Sequence, residues 1–228
     1  MKQIILENKY SVSLIKRKGS KSIRLTYSPI NGIRVTFPVW VSYSYALKFV
    51  NSKIEFIKKN YKSIQKITNY TKIGFKYNVK FLESDSEKFS FKIKENIVYI
   101  NKPAKYSIFD ELTQEYSRKI CLKILRDEAE DYLPKRLLFL SKLHNFNYNQ
   151  VNIRILKSRW GSCDSKKNIT LNMYLMQVPN YIVDYVLIHE LVHTTNMSHD
   201  KTFWKRVELL IPKYKDIKKE LKTLQPIL

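Results

Sequence analysis

The stretch from Tyr181 to His193, YIVDYVLIHELVH, has the length of a helix and is apolar on nearly every side. A helix of that kind has no face for solvent and belongs inside a core. The polar side chains it carries there, His189, Glu190 and His193, therefore need partners. Any fold available to the chain must bury this helix and satisfy those three groups.

Residues four apart on a helix are turned by about 40° and separated by about 6 Å along the axis. His189 and His193 thus project their imidazoles side by side, the bite of one metal ion. Glu190 lies on a neighbouring flank, where its carboxylate reaches a water held on the metal without ligating it. Zinc in a catalytic site takes three protein ligands and leaves one position open. His199 is the candidate third ligand, because Thr194 to Met197 suits a helix end and a turn that doubles the chain back. Failing His199, Asp200 and Glu208 stand next in line. Three of the four histidines fall within the eleven residues from 189 to 199, which argues against two ordinary buried histidines satisfied by hydrogen bonds. The fourth, His144, reads as a surface residue at a helix end.

The 228 residues suffice for one large or two small domains with a proper core. Two cysteines, Cys121 and Cys163, are too few for a disulfide framework, so a reduced interior is expected. Neither a signal peptide nor a membrane span is legible, and the expected location is cytoplasmic. Forty-two Lys and Arg against twenty Asp and Glu give +22, a field that attracts nucleic acid, nucleotides or acidic proteins. The lysines are scattered amid Asn, Ile and Tyr and form no single block.

Along the chain, Tyr10 to Ile15, Ser22 to Tyr27 and Ile33 to Phe37 read as a small antiparallel meander, with turns at Lys18-Gly19-Ser20 and Pro29-Ile30-Asn31-Gly32. Ser42 or Ser44 can cap a single helix through about Tyr61. Strands return at Gly74 to Leu82, Lys88 to Lys94 and Ile97 to Ile100. A long helix follows from about Asp110, with Leu112, Tyr116, Ile120 and Ile124 along one face; Pro134 should kink or restart it before Leu143. Val151 to Leu156 and Asn168 to Leu171 read as strands joined by a turn-rich loop from Lys157 to Lys167. Pro179 suits the start of the histidine helix, Ser198 can cap the next, and a short last helix runs through Ile217, Leu221 and Leu224. The class is α+β, with a β-rich N-terminal region over 1–105 and a metal-binding domain over 106–228.

With Arg159-Trp160-Gly161-Ser162-Cys163, Ile169-Thr170-Leu171-Asn172, Tyr185 to His193 and Asn196 to Trp204 in hand, the chain resembles the YgjP-like metallopeptidase family, and more distantly the SprT-like and WLM zincins. The resemblance implies a zincin-like domain with the His-Glu-x-x-His helix buried in its core. It implies metal ligation by His189, His193 and His199, with Glu190 catalytic. Thr194 and Thr195 stand where relatives tend to have larger or apolar residues.

The leading expectation is a zinc-dependent metallopeptidase acting on polypeptides, with Arg159 and Asn172 as substrate-binding residues. Residues 168–172 are expected to border the cleft as an edge strand that holds an extended peptide. Trp160 reads as a packing residue, and Cys163 as a conceivable extra thiolate ligand. Two other readings stay open: a metal-dependent hydrolase of nucleotides or phosphate esters, and a nucleic-acid-binding protein with a structural metal.

Overall fold

The computed structural model describes residues 2–7, 10–28, 32–60, 66–156 and 158–224. Two compact units emerge, residues 1–65 with the last two residues of the chain, and residues 66–226. Among the described residues no helix is long and apolar enough to cross a membrane.

In the first unit β1 (Lys2–Leu6), β2 (Tyr10–Arg17), β3 (Arg24–Ser28) and β4 (Gly32–Pro38) form a sheet in the order β1-β2-β4-β3. The expected meander is corrected: β2 and β4 pair in parallel, with Val12 opposite Ile33 and Leu14 opposite Val35. Those four side chains are buried, whereas Arg24 and Thr26 of β3 are exposed. Apolar burial thus puts β2 and β4 at the centre and leaves β3 at the edge. The turn read at Pro29-Ile30-Asn31 lies outside the described residues.

The helix expected after this sheet is two, α1 (Tyr43–Ser52) and α2 (Ile54–Asn60). Ser42 caps the first by accepting from Tyr45 N at 3.1 Å. Ser52 Oγ donates to Phe49 O and Lys53 N to Val50 O, which closes the last turn of α1. Ala46, Val50 and Ile57 complete the core against the sheet. Tyr61, the expected end, lies outside the described residues.

The second unit opens with β5 (Asn78–Ser84), β6 (Ser90–Lys94) and β7 (Ile97–Pro103), in the order β5-β7-β6. The boundary expected at 105/106 falls inside this unit. Side chains of α3 (Glu111–Leu143) tie the preceding segment to it: Gln114 bonds Ile67 N and O at 2.9 and 2.8 Å, and Glu128 accepts from Phe75 N and Lys76 N. Such contacts leave no trace in composition.

α3 is one helix of 33 residues and runs through Pro134. Leu133 and Leu137 are fully buried on either side of the proline, and this packing outweighs the lost backbone hydrogen bond. A spacing of four drifts about 40° per step from a straight stripe. Accordingly Leu112 is exposed and Tyr116 half-buried, while Ile120, Ile124 and Leu125 are buried.

A third sheet contains β8 (Gln150–Arg154), β9 (Gly161–Cys163) and β10 (Asn168–Asn172), in the order β8-β10-β9. Each sheet contains three consecutive strands, β2 to β4, β5 to β7 or β8 to β10, of which the last pairs in parallel with the first and antiparallel with the middle one. A 3-10 turn (Met173–Gln177) leads into α4 (Asn180–His193), then α5 (Lys201–Leu210) and α6 (Tyr214–Thr223). α4 is buried along most of its length, as its composition demands, and a two-pronged Arg136–Asp184 pair at 2.7 and 2.6 Å ties it to α3.

Candidate metal centre

α4 starts immediately after Pro179 and presents His189 and His193 on one face. Its end is closed by the two threonines. Thr194 Oγ1 donates to Leu191 O at 2.7 Å and Thr195 Oγ1 to Val192 O at 2.9 Å, a second hydrogen bond to carbonyls that already accept from backbone N–H groups of the last turn. This accounts for polar residues at positions where larger or apolar ones were the expectation.

A short polar network then aims His199. Asn196 Oδ1 accepts from Ser198 N and Oγ, and Asn196 Nδ2 donates to Asp200 at 3.0 Å. Asp200 caps α5 by accepting from Phe203 N at 2.9 Å, so the expected Ser198 cap is corrected. Ser198 instead donates to Asp200 Oδ2 at 2.8 Å. A carboxylate one residue before the helix makes the stronger cap because its charge also favours the helix N-terminus.

The three histidines converge. His199 Nε2 lies 3.1 Å from His189 Nε2 and 3.1 Å from His193 Nε2, and all three candidate donor atoms fall within 4.8 Å of one another. Nitrogens about 2.0–2.1 Å from a tetrahedral centre stand roughly 3.3 Å apart, so the two 3.1 Å spacings match those of a metal site. His193 Nδ1 lies 3.1 Å from Asn196 O. That bond places the ring proton on Nδ1 and frees Nε2 to ligate. Burial holds His189 down to about 3, with His193, His199 and Lys218 adding to the effect. His193 is lowered by burial too, against the hydrogen bond to Asn196. Neutral imidazoles are the form a metal needs. Phe203 is fully buried with its ring 4.5–4.9 Å from all three imidazole centres, and packs them in place.

Glu190 is 4% exposed. Burial pushes its carboxyl up to about 8, with Arg159 pulling the other way. Its Oε2 is buried without a hydrogen-bond partner among the described residues. Across from it lies Gly161 of β9, where an added Cβ would stand 2.6 Å from Glu190 Oε1 and 2.8 Å from its Cγ. Only glycine admits the strand this close to the carboxylate. Sequence reasoning left both β9 and the role of Gly161 unread; the available signal was one of only four glycines in the chain, inside the Arg-Trp-Gly-Ser-Cys run.

The structure separates the other expected site residues. Asn172 is buried, and its amide donates to Leu156 O at 2.9 Å and Arg159 O at 3.0 Å while accepting from Tyr174 N. It faces the interior and shapes the loop that carries Arg159. Arg159 itself is exposed and Trp160 half-buried. Cys163 Sγ is directed to Asp164 O, its thiol pushed up to about 11 by burial, and it is not in the three-histidine cluster. His144 is the C-cap of α3. Glu208 pairs with Lys215 at 3.3 Å. The expectation that residues 168–172 form an edge strand is overturned: β10 is flanked by β8 and β9. The short β9, unforeseen in the loop, takes the edge beside Glu190.

A helix offering two imidazoles four residues apart, with a third turned back onto them and a buried glutamate alongside, defines a protein organised to hold a metal ion. The chain belongs to the YgjP-like metallopeptidase family, whose metallopeptidase domain model matches residues 21–224. It is accordingly a metallopeptidase of mixed α and β structure. Among solved structures, the metallopeptidase zymogen of Pyrococcus abyssi abylysin aligns at 24% identity and TM-score 0.37, covering 42% of this chain and 99% of that one. That of Methanocaldococcus jannaschii jannalysin aligns at 21% identity and TM-score 0.33, covering 41% and 92%. No curated protein matches the chain.

Proposed function

We propose that the protein is a zinc-dependent peptidase in which His189, His193 and His199 hold the ion and Glu190 is the general base. The observation that carries this reading is the convergence of three Nε2 atoms, two of the spacings being 3.1 Å, beside a buried carboxylate. When bound, zinc supplies Lewis acidity, which acidifies water and polarises a peptide carbonyl.

Glu190 takes the proton of the attacking water and delivers it to the leaving amine. In the metal-free site burial raises this carboxyl from the ordinary 4.5 to about 8, and a cation held by the three histidines would draw it back toward the ionised form that a base needs. Gly161 lets the backbone close over that carboxylate and keep bulk solvent away, and the free edge of β9 offers main-chain groups to an extended polypeptide. Arg159, on the loop fixed by Asn172, supplies a positive charge that favours the ionised Glu190 carboxylate. Asn172 acts on substrate only through that loop.

Elemental analysis of the purified chain should give about one zinc, and His189→Ala, His193→Ala and His199→Ala should each lower it. The wild type should cleave an unstructured polypeptide and release no phosphate from nucleoside triphosphates. Full zinc retention in His199→Ala, or phosphate release without peptide cleavage, overturns the reading.

A further inference from the structure

α6 carries Lys215, Lys218, Lys219 and Lys222. The spacing i, i+3, i+4, i+7 is that of a single helix face. These lysines line a groove of about 410 Å³ together with Trp204 and Tyr214. Like charges at such spacings repel within a helix, and the intramolecular compensation is incomplete. Lys215 pairs with Glu208 at 3.3 Å, while Lys218, Lys219 and Lys222 have no carboxylate partner among the described residues. Of the helix's own acids, Glu220 is engaged by Tyr181 Oη at 2.6 Å.

The groove adjoins the metal centre. Trp204 stacks on His199 with centroids 5.6 Å apart, and on Tyr214 at 5.3 Å. Lys218 Nζ sits 3.9 Å from the centre of the Trp204 ring. A chain that crosses the three histidines therefore meets the Lys218 ammonium within roughly three extended residues of the scissile bond, at about 3.3 Å per residue.

We infer that this groove binds acidic side chains of the substrate, so that the enzyme selects polypeptides with Asp or Glu close to one side of the cleaved bond. The inference rests on the peptidase reading of the adjoining site and names its substrate class. A polynucleotide is the poorer fit. Sequence-tolerant binding of single strands uses open aromatic faces on which bases stack, and the Trp204 ring is already stacked with His199 and Tyr214 and covered by Lys218. Lys215, Lys219 and Lys222 are exposed, and their ammoniums match carboxylates as point charges.

The test uses zinc-loaded full-length Glu190→Gln protein, which retains the site without turnover, and fluorescent peptides of one length that differ only in two central-flank residues, Glu, Ala or Lys. Anisotropy should show the Glu peptide binding about tenfold tighter than the Ala peptide at low salt, as expected for a few exposed charge pairs. The gap should close as salt is raised. Lys219→Glu with Lys222→Glu, both on the exposed helix surface, should leave Ala-peptide binding unchanged and reverse the preference toward the Lys peptide. Equal binding of the three peptides, or an unchanged preference in the double variant, overturns the inference. So does an oligothymidylate of equal charge that outcompetes the Glu peptide. If the preference stands while wild type cleaves none of the peptides, the groove is supported and the peptidase reading fails.

Discussion

Two glutamates are buried in the second unit, each pressed against a glycine, and they differ in what reaches their oxygens. Glu128 of α3 meets Gly74, and Glu190 of α4 meets Gly161; a Cβ on either glycine would collide with the carboxylate. Both side chains are at most 5% exposed. Glu128 Oε1 accepts from Phe75 N at 3.0 Å and Lys76 N at 2.9 Å, so backbone donors offset part of the desolvation that raises its pKa. Glu190 receives no hydrogen bond among the described residues, and burial pushes it to about 8. One carboxylate is used to fasten the segment before the second sheet to α3. The other is kept uncommitted beside three histidines. Burial alone does not distinguish a reactive acid from a structural one; the supply of donors does.

The largest expected effect is that of Glu190→Gln, which keeps the shape and removes the basicity. Turnover should fall by about 10²- to 10⁴-fold with zinc content unchanged, read by peptide cleavage and elemental analysis on the same sample. Retained turnover would make Glu190 as inert as Glu128 is expected to be, and the comparison would collapse.

Next is the pH dependence of the metal-free protein. Glu190 has a folded pKa of about 8 against an ordinary 4.5, so the unfolded chain ionises first and stability falls as pH rises from about 4.5 to about 8. His189, held at about 3 against 6.5, acts in the opposite direction, and stability falls as pH drops from about 6.5 to about 3. Denaturation of chelator-treated protein should therefore show the site contributing most between about pH 4.5 and 6.5. The alkaline loss is bounded by several kcal/mol. Glu190→Gln should flatten the alkaline limb and spare the acid one. An alkaline limb that persists in this variant assigns the titration to another group.

Of these two glutamates, only Glu190 was legible as special in the sequence. Its neighbours His189 and His193 are local on one helix, and His199 follows within one turn and a loop, so spacing alone brings them together. Glu128 looks like any helical glutamate, because its partners Phe75 and Lys76 are more than fifty residues away. The parallel pairings of β2 with β4, β5 with β7 and β8 with β10 were hidden for the same reason. Strand propensity is local, but the choice of neighbour is decided by burial across the sheet. β9 is three residues long and exists only through its pairing with β10. Asn172 was read as a substrate-binding residue, and alternation along a strand does not say that its amide will hold the loop at Leu156 and Arg159.

The two glycines sharpen the contrast at a smaller scale. Gly161→Ala should push the Glu190 carboxylate from its place and lower kcat by roughly tenfold to a hundredfold, a misplacement effect, with zinc content near one. Gly74→Ala should instead lower the melting temperature and leave kcat/KM of the folded protein alone. The reverse pattern would mean that the β9 approach is a packing detail.

The smallest expected effect is that of Glu128→Gln. Glutamine keeps a carbonyl oxygen that can accept from Phe75 N and Lys76 N, and it removes the cost of ionising a buried acid. Against these stands an amide nitrogen placed where Oε2 now packs without a partner against Gly74. The terms oppose one another, so stability in urea should stay within about 1 kcal/mol of wild type. Glu128→Ala removes the acceptor of two part-buried backbone hydrogen bonds and should cost about 1–3 kcal/mol. Neither variant should change kcat/KM at a temperature where it is folded. If Glu128→Gln lowers turnover as Glu190→Gln does while remaining as stable as wild type, then Glu128 takes part in the chemistry, and hydrogen-bond supply is not what sets these two carboxylates apart.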